Sequence, residues 1–229
     1  MSPRSDRSSS RVSSSRGSRP ELSAEYIADT GVRIADEEGV GAVSMRRLAK
    51  ELGVTPMALY WHVDDKDRLL DLMAERVVAV VEFPSSPQAP WEERLRQVLS
   101  ALTGLLRQHP WMGRIVIERV VPLPQYLAAL ELLLEVLRDA GVPDRRAGIL
   151  VEHLVQDVVT MVEFEPAAVP AEELGAECVD RHEALAALPA ERYPRVRATA
   201  AMLAGSTDPE EYLEVGTTAL VGAVREAAR

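Results

Sequence analysis

Apolar residues recur along this chain every third or fourth position, the spacing that lays one stripe along a helix. From Leu22 onward the stripe is Ile27, Gly31, Ile34 and Ala35, with Ser23 placed to cap its start and Gly39 to stop it. Gly31 sits mid-helix at a cost of about 1 kcal/mol relative to alanine, which close packing against another helix would explain. Asp36, Glu37 and Glu38 stand at the negative end of the helix dipole, a placement that helix chemistry leaves unaccounted for. A second helix runs from about Ser44 to Leu52 and stops at Gly53. Thr55-Pro56 opens a third, a cap followed by proline where a missing N–H is harmless, and it reaches about Val63. Asp64 or Asp65 caps a fourth, carrying Leu69, Leu70, Leu72, Met73, Val77, Val80 and Val81.

The pattern breaks over Phe83 to Pro90, a proline-rich elbow. Beyond it the spacing predicts helices at about 91–108, 111–121, 124–140, 144–163, 172–187 and 209–228, with proline and glycine between them. No segment alternates as a strand does, so the fold class is all-α.

Composition changes the picture in two ways. Apolar residues reach 47% with only 4% aromatic, so Leu, Val and Ala fill the core. The net charge is −10, which argues against a protein that simply coats nucleic acid. Five arginines against one aspartate give residues 1–20 a net +4, leaving −14 on the remainder. That Ser/Arg-rich segment buries too little to order itself. It reads either as a solvated tail or as an arginine arm that orders along a DNA groove.

The lone Cys178 excludes an intrachain disulfide and a cysteine-rich zinc site. Uncharged runs such as Val120 to Leu130 fall short of the roughly 18 residues of a membrane span. With no apolar signal segment either, a soluble cytoplasmic protein is expected.

Ser44 to Lys66 carries the functional signal. Leu48, Ala49 and Leu52 give the first helix an inner face, Gly53 permits the tight turn, and Val54, Leu59 and Val63 close the core, as a helix-turn-helix requires. Pro56, Met57 and Ala58 occupy the reading-helix N-terminus, where they would meet thymine methyls or groove shape. Arg46 suits a guanine edge, while Ser44, Thr55 and Lys66 sit where phosphates pass. Tyr60 and Trp61 are adjacent on a short helix, so both cannot be buried. They are either rim packing or, with His62, phosphate donors beside the groove. Arg47 and Lys50 read equally as contacts or as solvated charge.

Residues about 22–82 resemble the DNA-binding domain of the TetR family of bacterial repressors. The resemblance rests on the run from Val43 to Val54, on Leu59-Tyr60-Trp61-His62-Val63 and on Lys66-Asp67-Arg68-Leu69-Leu70. The aromatic motif places it near the tetracycline-repressor branch. The resemblance implies a homodimer with one reading head per protomer, a palindromic operator, and release when a small-molecule effector enters the C-terminal domain. It also implies a dimer interface on the last long helices. The reading tip Pro56-Met57-Ala58 departs from that branch, so its operator does not carry over. Val116 and Glu82 stand where the branch has histidines, so a metal-tetracycline effector is not expected.

The chain then divides into a disordered arm at 1–20, a DNA-binding domain at 21–68, and a ligand-binding and dimerisation domain at 69–229, joined by a linking helix at 66–82. In the last of these, His153, Gln156 and Thr160 interrupt an apolar helix. They are either solvent-exposed or face a cavity lined by Leu102, Leu106, Met112, Ile115, Leu130 and Leu134. Tyr212, Leu213, Gly216, Leu220 and Ala223 form a stripe suited to self-association. The four histidines lack metal-ligand spacing, and no phosphate loop, dinucleotide fingerprint or nucleophile elbow occurs. No enzyme activity, cofactor, metal or membrane partner is expected. A constitutive DNA-binding protein without effector is the alternative, to be separated by whether the C-terminal domain holds a cavity.

Overall fold

The computed structural model describes residues 21–81, 88–118, 124–166 and 176–229; among them are helices and turns but no strand. The arm at 1–20 and residues 82–87 of the elbow lie outside the described residues. Helix α1 spans Ala24–Glu38, α2 Met45–Leu52, α3 Pro56–Tyr60 and α4 Lys66–Val78, with one 3-10 turn at Val40–Ala42. The expected caps form. Ser23 accepts from the Tyr26 amide, Ser44 from Arg47, Thr55 from Ala58 and Asp65 from Arg68. Each satisfies an amide the first turn leaves unpaired, a contribution of about 1 kcal/mol apiece.

Gly53 adopts φ 66°, ψ 38°, and its amide returns to the Ala49 and Lys50 carbonyls. This left-handed turn, open to glycine without penalty, swings the chain from α2 into α3. α3 ends at Tyr60 rather than near Val63, because the chain must turn there to bring the buried Val63 back beneath it.

Helix α1 is the beam of this N-terminal unit, packing along α4 and against α2. Gly31 makes the approach possible. A Cβ there would lie 2.8 Å from Sδ of the fully buried Met73. Ile27, Ile34, Leu48, Leu59, Leu69 and Met73 are fully buried in this part of the core.

The remainder comprises α5 Trp91–Gln108, α6 Met112–Glu118, α7 Pro124–Asp139, α8 Asp144–Glu163, α9 Ala176–Ala186, α10 Pro194–Ala198, α11 Ala200–Leu203 and α12 Pro209–Ala227. α5, α7 and α8 pack on one another, and α12 lies on α5 and α8. Buried Arg94 of α5 ties to Glu135 and Asp139 of α7. The stretch around Pro189 and Pro194, expected to be a break, holds α10 and α11. Proline at a first helical position starts a helix rather than ending one.

The α12 stripe expected to self-associate is partly turned inward. Leu213 and Leu220 are buried, and a Cβ on Gly216 would meet Met161 of α8 at 2.5 Å. Ala223 of that stripe is exposed, as are Ala219 and Gly222, which suit close approach of a partner, and Val215 beside them.

The α1–α4 contact yields a test. Gly31→Val should destabilise the fold by roughly 1–3 kcal/mol in urea unfolding, as overpacking of a filled core does. Adding Met73→Ala should make the effect of the valine smaller, giving a clear interaction term in the double-mutant cycle.

Candidate nucleic-acid interface and junction cavity

The α2–α3 pair presents its tip to solvent. Ser44, Arg46, Thr55, Pro56, His62 and Lys66 are exposed and Ala58 is partly so. Met57, Tyr60 and Trp61 are 68%, 47% and 84% exposed. Rim packing therefore does not account for Trp61. Its indole stands almost wholly in water beside the reading helix, held there by the buried Leu59 and Val63 on either side of it in the chain. Large apolar groups left exposed together are informative where a protein has few aromatics to spare.

The charges of this unit sort into two sets. Arg33 bonds Glu37 and Glu51, Arg47 bonds Glu38 and Glu51, Arg68 bonds Glu75, and Arg76 bonds Asp29. Those hydrogen bonds raise the Arg33, Arg47 and Arg76 guanidiniums above their ordinary values, through Glu51, Glu38 and Asp29 respectively. Arg46, Lys50 and Lys66 make no ion pair with the described residues. The cations left for an anionic partner thus lie on α2 and at the start of α4, flanking α3.

A cavity of about 830 Å³ opens where α1 meets the C-terminal helices. Ala35, Asp36, Gly39 and Val40 form one wall. Leu106, Arg107, Pro110, Trp111, Gly113, Arg114 and Ile117 come from α5, α6 and the corner between them, and Val159, Val162, Glu163 and Glu165 from the end of α8 and just beyond it. Arg107 is bound to Glu165 at 2.7 Å and Glu210 at 2.8 Å. The interior is mixed, with aliphatic groups and one indole among charged groups, as suits an organic molecule with a few polar substituents.

Of the residues expected to line a cavity, Leu106 does so. Met112 and Ile115 are buried in the core, and Leu102, Leu130 and Leu134 pack partly buried against it. His153, Gln156 and Thr160 are exposed and lie outside it. Helical spacing puts them on one face with the 53% exposed Ile149, while Ala147, Val151, Leu154 and Val158 face inward.

The sequence reading missed Asp36, His109 and Trp111. Asp36 Oδ1 accepts from Nε1 of Trp111 at 2.7 Å and lies 2.8 Å from Nδ1 of His109. His109 and Trp111 are buried, their rings edge-to-face with centroids 6.2 Å apart. The misplaced acids now have partners: Glu37 holds Arg33, Glu38 holds Arg47, and Asp36 reaches the α5–α6 corner. Among the described residues no group of histidine, cysteine or acidic side chains is arranged to hold a metal, and no helix is long and apolar enough to cross a membrane.

Comparison with known proteins gives two family matches. Residues 27–73 match the bacterial regulatory proteins of the tetR family, and residues 83–225 match the tetracyclin repressor-like C-terminal domain. The HTH-type transcriptional repressor DrrR1 of Streptomyces coeruleorubidus is 36% identical over 131 residues, 57% of this chain and 48% of that protein. The chain spans about half the length of the curated relatives it matches. Among solved structures, ActR of Streptomyces coelicolor in complex with actinorhodin has 29% identity and a TM-score of 0.78, covering 91% of this chain and 99% of that one. BioQ bound to its double-stranded DNA operator has 26% identity and a TM-score of 0.56, covering 62% and 89%.

If Trp61 is held out for a partner, Trp61→Ala should change unfolding stability by no more than about 0.5 kcal/mol, as exposed substitutions do. Leu59→Ala, two residues away and buried, should cost roughly 2–5 kcal/mol in the same thermal or urea series.

Proposed function

The chain belongs to the TetR family of bacterial regulators, and on that premise we propose that it is a transcriptional repressor that binds a palindromic operator as a homodimer and releases it when a small molecule enters the junction cavity. One juxtaposition carries the reading. α1, the beam on which the reading pair is mounted, also supplies a wall of the 830 Å³ cavity. A molecule bound there touches the mount of the DNA-binding unit directly. The alternative, a constitutive binder, gives no role to such a space.

Contacts to DNA fall to Ser44, Arg46, Thr55, Tyr60, Trp61, His62 and Lys66 around the tip Pro56-Met57-Ala58. The tip offers methyl and methylene groups and no strong hydrogen-bonding side chain, so it reads thymine methyls or groove width. Arg46 is the residue for a guanine edge. BioQ, solved with its operator, supports this placement of the head.

The homodimer is assigned to the exposed faces of α8 and α12. Ile149, His153, Gln156 and Thr160 line one, and Val215 (65% exposed), Ala219 and Gly222 the other. Small residues on α12 permit close approach of a partner helix. Effector binding favours a conformation whose two reading helices miss successive major grooves, about 34 Å apart. DNA must then weaken effector binding by the same factor. ActR, solved with actinorhodin, supports a small organic effector and makes actinorhodin the first probe.

The deciding experiment is selection of bound duplexes from a random DNA pool. Recovery of inverted half-sites, with a dimer in sedimentation, is the expected result. Recovery of no common sequence, or a monomer at micromolar concentration, would refute it.

Within the selected operator, Arg46→Ala should lose about 1–3 kcal/mol and relax preference at one base pair. Lys66→Ala should instead weaken binding to all sequences and lower the salt slope by about 0.9 per protomer. Arg47→Ala should leave the slope nearly unchanged, because Glu38 and Glu51 already hold that charge.

A further inference from the structure

The joint between the DNA-reading unit and the C-terminal helices has a polar centre as well as apolar contact. Two donors from the α5–α6 corner converge on one oxygen of one carboxylate: the Trp111 indole N–H at 2.7 Å and the His109 ring nitrogen at 2.8 Å. The two rings are buried and set edge-to-face, so neither can follow Asp36 if α1 turns. The Asp36 side chain is 29% exposed and His109 11%, so the contact is only partly screened by water. Asp36 also stands at the end of α1 where a carboxylate opposes the helix dipole. The helix gains nothing from an acid at that position, so its use lies in the contact it makes.

We propose that Asp36, His109 and Trp111 form a latch that fixes the angle of the reading head on the body and thereby sets the distance between the two heads of the dimer. Asp36 is a positioning residue here and touches no DNA. The geometry makes it a lever. The latch holds α1 at its C-terminal end, and the reading pair is packed on the same helix. A small rotation at the latch is therefore carried to α3. Holding the angle keeps the heads pre-set for two half-sites, so the operator is met without the ordering loss that a loose head would suffer. The inference rests on the dimeric-operator reading above.

The test varies the operator rather than any ligand. Duplexes carrying the selected operator, with zero, one or two base pairs inserted at its centre, are titrated against the native chain and against Asp36→Ala and Trp111→Phe. Trp111→Phe keeps an aromatic ring in the buried site and removes the indole N–H together with some ring volume, a packing loss that would act on every duplex alike. The native protein should lose about tenfold or more in affinity for each inserted pair, because rotation and separation of the half-sites change together. The latch variants should bind the parent operator about tenfold more weakly, yet lose less than about threefold per insertion, since loose heads adapt to spacing. Asp36→Asn, which retains an oxygen for the Trp111 N–H, should keep a spacing penalty between the two.

A merely structural role would lower melting temperature or weaken all duplexes alike, leaving the ratio among spacings at its native value. That result in Trp111→Phe overturns the latch, including the case where Asp36→Ala fails to fold. Failure of the underlying reading looks different. The native protein itself would then be indifferent to spacing, which removes the dimeric operator and the latch with it.

Discussion

Helix α1 has to lie against several partners at once, and the missing side chain at Gly31 is the condition that lets it. With Met73 Sδ only 2.8 Å from where a Cβ would stand, any other residue requires either the buried Met73 side chain or the α1–α4 contact to shift. The displacement would not stay local. Ile27 and Ile34 bury α1 in the core of the reading unit, and Asp36 carries its far end to the α5–α6 corner. Close packing transmits such shifts because a filled interior has no slack to absorb them. The loss of about 1 kcal/mol in helix propensity at a mid-helix glycine is small beside what that contact organises.

The second constraint is electrostatic. A body with net −14 after residue 20 repels a polyanion, so DNA affinity must be local. The structure confines it by pairing. Carboxylates hold Arg33, Arg47, Arg68 and Arg76, whereas Arg46, Lys50 and Lys66 beside α3 have none among the described residues. At physiological salt, charges more than about 8 Å apart are largely screened, so the distant acidic surface only mildly opposes contacts made at the tip. It still disfavours non-specific docking in other orientations, which leaves discrimination to the few groups at the reading helix.

Much of the fold was legible because its signals are local. A cap, a stop glycine and a stripe of period 3.6 are complete within one helix, and α1, α2, α5, α7, α8 and α12 fall within a residue or two of their expected bounds. The reading head was legible for the same reason, since adjacent aromatics on a short helix cannot both turn inward. α10 and α11 were not, because proline marks both the end of one helix and the start of another. The outward face of α8 was left open between two readings on a different ground. Polar interruptions in an apolar helix fit a cavity wall and an outward face equally well. Only the neighbours of α8 settle that Val151, Leu154 and Val158 point inward while His153, Gln156 and Thr160 do not.

The cavity and the latch lay beyond reach because their walls come from segments more than seventy residues apart in the chain. Yet one residue-level signal was present. Asp36, Glu37 and Glu38 contradict the dipole of the helix they end, and a sequence that disagrees with its own local structure is answering to something outside it. In the folded chain that something is Arg33 for Glu37, Arg47 for Glu38 and the α5–α6 corner for Asp36. Two of the three acids serve to neutralise cations of the reading unit. The third crosses to the body, where its two buried partners hold a single oxygen in place. An arrangement that specific does more for the angle of α1 than for its stability, because a lone hydrogen bond contributes only about 1 kcal/mol net while two nitrogens fixed on buried rings admit few positions for the oxygen they share.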